Sequence, residues 1–116
     1  MAWVEYDYES GDALADALAG ALFAATRAAI ATQGHAWLAL AGGRTPWPAY
    51  RRFVAMPLEW SKVSLVPTDE RCVPHDHAAC NVRELRDVFA PAKGVRIESL
   101  TTSDGDTVRS EAHARA

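Results

Sequence analysis

The chain has 116 residues, 12 Lys and Arg against 15 Asp and Glu, and a formal net charge of −3. Its 49% hydrophobic and 23% charged residues are ordinary for globular domains, which excludes the disordered, collagen-like and disulfide-rich classes. A slightly acidic chain without a basic patch has no general attraction for phosphate backbones or anionic lipid, so we expect neither a nucleic acid nor a membrane partner. Two cysteines and an acidic start favour a reducing, cytoplasmic location over secretion.

The first predicted element is a long helix over residues 13–33. Asp12 in front of it supplies a capping carboxylate, and Gly34 behind it supplies a helix stop. The length would also suit a membrane span. Because Asp16 and Arg27 lie inside an alanine-rich, weakly hydrophobic stretch, the sequence favours a helix packed against a sheet and a neighbouring helix.

The remaining chain alternates between strands and helices. Residues 35–41 form a continuous apolar run, which is typical of a strand buried on both faces. Further strands are predicted at 62–67 and 95–100, and further helices at 47–56, 82–89 and 107–116. This order predicts an α/β fold, a doubly wound, mostly parallel sheet with helices on both faces, Rossmann-like and three-layered. Such sheets bind ligands beyond the carboxyl ends of their strands.

A glycine-rich turn follows the first predicted strand. Gly42 and Gly43 allow close backbone approach, Arg44 and Thr45 add side-chain donors, and a helix start at Pro46 should present free amides. The pattern favours an anion site, most naturally for phosphate, although it is neither a Walker loop nor a dinucleotide fingerprint. The alternative is a plain strand-to-helix turn.

A charged turn, Asp69-Glu70-Arg71, follows the second predicted strand. An arginine there can hold phosphate while an acidic group handles a hydroxyl or a proton. The alternative is a solvated charged turn. Both turns leave carboxyl ends of strands, so we expect them on one rim of the sheet.

Four residues of the following loop have the types that bind zinc. They are Cys72, His75, His77 and Cys80. Four ligands within nine residues would have to wrap one metal with no intervening element, whereas structural zinc sites usually combine ligands from two separate turns. We therefore expect no metal site.

Taken together, these motifs resemble the 6-phosphogluconolactonase family. The resemblance runs over residues 37–89 and rests on three segments in the family's order and spacing. They are Leu38-Ala39-Leu40-Ala41-Gly42-Gly43-Arg44-Thr45-Pro46, Trp60-x-Lys62-Val63, and Asp69-Glu70-Arg71-x-Val73-Pro74-x-Asp76-His77 with Asn81. The related glucosamine-6-phosphate deaminases share the glycine loop but typically carry Asp-Glu-Tyr, so Arg71 favours the lactonase.

The resemblance implies hydrolysis of 6-phospho-D-glucono-1,5-lactone to 6-phosphogluconate in the oxidative pentose phosphate pathway, with no metal or organic cofactor. It further implies that Asp69 lies near the reacting end of the sugar. The residues implied to bind the sugar phosphate are Gly42, Gly43, Arg44, Thr45 and Arg71.

Members of the family are about twice this length, and their catalytic histidine lies in a later Gly-x-x-x-Asp-Gly-His segment. The sequence contains no such segment, and the neighbours of His113 do not match it. The resemblance therefore implies that residues 1–116 are the N-terminal part of one incomplete α/β domain, inactive alone. A deaminase-like enzyme and a non-catalytic sugar-phosphate sensor stay open as alternatives.

Overall fold

The computed structural model of the chain describes residues 8–116, so residues 1–7, with most of the acidic start, lie outside it. The elements are α1 (Gly11–Gln33), β1 (Ala36–Leu40), α2 (Trp47–Val54), a 3-10 turn (Trp60–Lys62), β2 (Val63–Pro67), α3 (Asn81–Val88), β3 (Arg96–Ile97) and α4 (Thr107–Arg115). Every predicted helix and strand is confirmed, although β3 is shorter than expected.

The three strands form one parallel sheet in the order β1-β2-β3. Leu65 at the centre of β2 is aligned with Leu38 on one side and with Ile97 on the other. Because every strand runs in the same direction, the turns that follow β1 and β2 leave the same edge of the sheet. The predicted parallel α/β sheet is therefore confirmed.

Helix α1 is capped by a different residue from the one predicted. The Ser10 hydroxyl oxygen accepts a hydrogen bond from the Ala13 amide at 3.1 Å, whereas Asp12 lies inside the first turn. A serine side chain at the extended N-cap position reaches the amide three residues on, which a carboxylate already inside the helix cannot do. At the other end Gly34 adopts φ +78° and its amide donates to the Ile30 carbonyl oxygen, which confirms the predicted helix stop.

By length and composition, α1 could cross a membrane, with a mean hydropathy of 1.4 over its most apolar window. It packs instead against α2 and β1, where Ala15 and Ala19 are buried. The Arg52 guanidinium of α2 also forms ion pairs with Asp12 at 3.1 Å and Asp16 at 3.0 Å. Packing and charge thus attach α1 to the rest of the described chain.

The hydrophobic core lies on one face of the sheet. Val63 and Leu65 of β2 point into it together with Leu40 of β1. From the helices, Phe53 and Phe89 meet edge to face, with ring centroids 6.0 Å apart. The core therefore fills the space between this sheet face and helices α1 to α3.

The opposite face of β1 is open. Trp37 is 63% exposed and Ala39 is exposed, whereas Ala36 and Leu40 are buried. The prediction that β1 is buried on both faces is therefore wrong for the described residues. Successive strand side chains point to opposite faces, and the core helices cover only the face with Ala36 and Leu40.

Candidate functional site

Two loops meet at the carboxyl edge of the sheet. The glycine loop (residues 41–46) follows β1, and the charged loop (residues 68–80) follows β2. The Thr68 amide donates to the Leu40 carbonyl oxygen at 3.0 Å, which joins the two strand ends where the loops begin. The predicted common rim is thereby confirmed.

Asn81, the first residue of α3, connects the two loops. Its side-chain Nδ2 donates to the Asp69 carbonyl oxygen at 3.1 Å and to Asp69 Oδ1 at 3.2 Å. Its Oδ1 lies so close to Gly42 that a Cβ placed on Gly42 would be 2.4 Å away. The sequence motif included Asn81 without giving it a role, and the structure shows it holding Asp69 beside the glycine loop.

Two side chains, those of Tyr50 and Glu84, form hydrogen bonds with the backbone of the glycine loop. The buried Tyr50 hydroxyl donates to the Ala41 carbonyl oxygen at 2.8 Å, and burial raises the pKa of this phenol. Gly43 adopts φ +91°, a conformation that favours glycine, and its amide donates to Glu84 Oε2 at 3.2 Å. The Glu84 carboxylate therefore already occupies the Gly43 amide, which is one of the hydrogen-bond donors of the loop.

The N-terminus of α2 offers fewer free amides than the sequence suggested. Pro46 and Pro48 carry no amide hydrogen, and the Trp47 amide donates to the Arg44 carbonyl oxygen at 3.3 Å. The expectation of an amide-rich helix start is wrong for this reason. Donors for an anion must come mainly from the glycine loop backbone and from nearby arginines.

Glu70 is a helix cap. Its Oε1 accepts hydrogen bonds from the amides of Asn81 at 2.7 Å and Arg71 at 2.9 Å, and its Oε2 accepts one from Val82 at 2.8 Å. The first amides of a helix lack partners within the helix, and a carboxylate there also meets the positive end of the helix dipole. Both carboxylate oxygens of Glu70 therefore accept hydrogen bonds that fix α3 to the charged loop. Asp69 is the exposed carboxylate of the pair.

The remaining predicted residues lie at the surface. Arg44 is exposed and forms no side-chain hydrogen bond or ion pair within residues 8–116. Arg71 is also exposed, and its Nη1 donates to the Ala79 carbonyl oxygen at 3.3 Å. Both guanidinium groups are therefore accessible to an anionic ligand.

Thr45, the last residue before Pro46 in the glycine loop, borders a second region as well. It lines a mostly apolar cavity of about 580 Å³ between the first turns of α1 and α2. The lining also includes Asp12 and the apolar side chains of Leu14 and Leu18, but neither glycine of the loop nor Asp69. The structure therefore joins Gly42 to Asp69 through Asn81, and Thr45 also borders this second cavity.

Three of the four residues with zinc-binding types have separate partners, and the fourth, Cys72, is exposed. His75 Nε2 lies 3.1 Å from the hydroxyl oxygens of both Ser99 and Thr101, and His77 Nδ1 accepts a hydrogen bond from the Ala79 amide. Cys80 is fully buried 3.6 Å from Glu70 Oε2, and burial raises the pKa of its thiol. Within residues 8–116, His, Cys, Asp and Glu side chains form no group of three suited to a metal ion.

The arrangement is suited to a ligand with an anionic end and a hydroxyl group nearby. Backbone donors of the glycine loop and the Arg44 and Arg71 guanidinium groups provide positive character at the rim. The adjacent carboxylate of Asp69, fixed by Asn81, can accept a hydrogen bond from a hydroxyl group. His113 is not part of this rim, because it lies in α4 with its Nε2 2.9 Å from the Ser99 carbonyl oxygen.

Known proteins are similar to this chain in sequence over most of its length. The sequence profile described as "Glucosamine-6-phosphate isomerases/6-phosphogluconolactonase" matches residues 9–116. A 6-phosphogluconolactonase of Rhizobium meliloti is 42% identical over 80 residues, 69% of this chain and 34% of the relative. One from Neisseria meningitidis serogroup A is 31% identical over 98% of this chain and 48% of the relative.

The fold comparison gives the same result. The crystal structure of a 6-phosphogluconolactonase from Shewanella baltica superposes with a TM-score of 0.85 at 25% identity, covering 92% of this chain and 47% of that protein. The chain thus spans a third to a half of the length of these relatives. Since the family profile covers nearly the whole sequence, the chain belongs to the glucosamine-6-phosphate isomerase/6-phosphogluconolactonase family.

Proposed function

We propose that the chain is the N-terminal part of an enzyme that hydrolyses 6-phospho-D-glucono-1,5-lactone to 6-phosphogluconate. The observation that carries this proposal is the contact between Gly42 and Asn81, because it brings the anion-binding loop and the Asp69 carboxylate to one place. The relatives named 6-phosphogluconolactonase support the same activity. Arg71, where deaminases typically carry tyrosine, favours the lactonase over a deaminase.

The proposed roles follow from the position of each group. The backbone of Gly42 and Gly43 and the side chains of Arg44, Thr45 and Arg71 bind the phosphate end of the sugar. Asp69 lies toward the reacting end, where its carboxylate accepts a hydrogen bond from the sugar. The base that takes a proton from the attacking water is supplied by a part of the family's domain outside residues 1–116.

The open face of β1 supports the proposal that these residues are part of a larger domain. Trp37 is 63% exposed on a strand with the apolar composition of a two-sided interior strand. Relatives contain about as many residues again as this chain, or more. We propose that this additional part packs on the Trp37 face, and that the whole is a soluble cytoplasmic enzyme with no metal or organic cofactor.

A coupled assay tests this function. The complete gene product and the isolated segment 1–116 are each supplied with the lactone, and 6-phosphogluconate is detected with its dehydrogenase. We expect turnover by the complete protein only. Turnover by the segment would contradict the assignment of the base, whereas ammonia release from glucosamine 6-phosphate by the complete protein would identify a deaminase.

The exposed arginines give a prediction about substrate binding. Arg44→Ala and Arg71→Ala in the complete protein should each weaken 6-phosphogluconate binding by about 1.5–3 kcal/mol, because each removes a charge-assisted hydrogen bond. Isothermal titration calorimetry measures the change. Arg86→Ala is the matched control, since Arg86 is exposed on α3 and forms no ion pair with the residues described. Unchanged affinity in both test variants would contradict the proposed pocket.

A further inference from the structure

The structure places the charged side chain of Glu84 directly on the backbone of the glycine loop. It lies in the first turn of α3, half-buried, and its Oε2 accepts the Gly43 amide at 3.2 Å. Asn81 lies three residues earlier, so both side chains project from the same face of the helix. Helix α3 therefore presents an amide to Gly42 and a carboxylate to Gly43.

This contact matters because a carboxylate oxygen and a phosphate oxygen compete for the same donor. Gly43 is exposed, and apart from its chain neighbours no heavy atom lies within 4 Å of the point where a Cβ would be, so a ligand can approach this side of the loop. A phosphate that binds the Gly43 amide must displace Glu84 Oε2, and a Glu84 that stays nearby repels it.

We propose that Glu84 lowers the affinity of the glycine loop for phosphate groups by occupying the Gly43 amide until a phosphate group displaces it. Inorganic phosphate must displace the carboxylate with backbone and arginine contacts alone. A sugar phosphate has additional contacts, including Asp69, that offset this cost. Glu84 thereby lowers the affinity for both ligands by a similar factor, which leaves free phosphate weakly bound while the sugar phosphate stays bound through its other contacts, an inference that rests on the phosphate-binding role proposed above.

Neutralising this carboxylate provides the test. Glu84→Gln in the complete protein should bind inorganic phosphate roughly two- to fivefold more tightly, the range expected when repulsion between partly exposed charges is removed. Calorimetric titrations with inorganic phosphate and with 6-phosphogluconate measure both affinities. Asp87→Asn is the matched control: it removes the same charge from an exposed position of α3, and Asp87 has no ion pair among the residues described. Phosphate affinity in the control should not change.

The direction of the change separates competition for the Gly43 amide from a purely structural role. If Glu84 only shaped the loop, its replacement would leave phosphate affinity unchanged or weaken it, and either result overturns the proposal. The Gly43 amide resonance in a ¹H–¹⁵N spectrum gives a second measurement without ligand. It should move in Glu84→Gln and in Glu84→Ala, and an unmoved resonance in both variants overturns the proposal.

The lactone assay keeps this inference separate from the proposed function. Turnover by the wild-type protein together with unaltered phosphate affinity in Glu84→Gln overturns the role of Glu84 alone. If the wild-type protein does not hydrolyse the lactone but Glu84→Gln still binds phosphate more tightly, the proposed lactonase function is wrong and the role of Glu84 in anion binding is supported. Failure of wild type and variant to bind phosphate at any concentration tested overturns the inference.

Discussion

Glu70→Ala is expected to lower the free energy of unfolding by about 3–5 kcal/mol, because three backbone amides would lose a charged acceptor at once. The amides belong to Arg71, Asn81 and Val82, at 2.9, 2.7 and 2.8 Å from the carboxylate. Asn81 and Val82 are buried, so water cannot readily replace the lost partner. Urea denaturation followed by circular dichroism measures the change.

Two further variants separate capping from charge. Glu70→Gln keeps the shape but has one acceptor oxygen, so its loss should be intermediate, about 1–2 kcal/mol. Asp87→Ala removes a carboxylate from an exposed position of the same helix and should change stability by less than about 0.5 kcal/mol. A loss below 1 kcal/mol in Glu70→Ala would show that the cap contributes little. Because Asn81 starts the capped helix, substrate binding should weaken together with stability.

Most of the fold could be predicted because its signals are local in the sequence. Apolar runs ending at Gly34, Gly42 or Pro67 locate the helix and strand ends, and a strand followed by a helix implies a parallel neighbour. The burial of β1 could not be predicted in the same way. An apolar run indicates that both faces can be buried, but the covering residues determine whether Trp37 is buried, and the described residues cover one face only.

The same distinction applies to the candidate site: its local features could be predicted from the sequence, and its long-range contacts could not. The glycine loop was recognisable from its position after an apolar strand, and Asp69 from the charged turn after the next. The roles of Glu70, Asn81 and Glu84 depend on partners 11 to 41 residues away in the sequence. No local pattern distinguishes a capping Glu70 from a catalytic acid. Only the placement of α3 against both loops shows that Glu70 holds backbone amides and that Asn81 holds Asp69.

Gly42→Ala is the second substitution with a large expected effect. Its Cβ would lie 2.4 Å from Asn81 Oδ1 and 2.5 Å from Asn81 Cγ, which is too close for either atom to remain in place. Asn81 is 7% exposed and hydrogen-bonded to Asp69, so a shift breaks those bonds and displaces the carboxylate. We expect a stability loss of about 1–3 kcal/mol, typical of inserting an atom into a packed site. Binding of 6-phosphogluconate should weaken at least about tenfold, the equivalent of one lost charge-assisted contact.

A double-mutant cycle with Asn81→Ala identifies the cause of this loss. Removing the Asn81 amide group creates room for the new Cβ, so Gly42→Ala should cost at least about 1 kcal/mol less in the Asn81→Ala background than in the wild type. Gly20→Ala is the control for glycine replacement itself. Gly20 is exposed inside α1 with nothing within 4 Å of its Cβ position, so alanine there should stabilise the protein by about 0.5–1 kcal/mol. Equal costs of Gly42→Ala in the two backgrounds would show that the glycine is required for a reason other than its contact with Asn81.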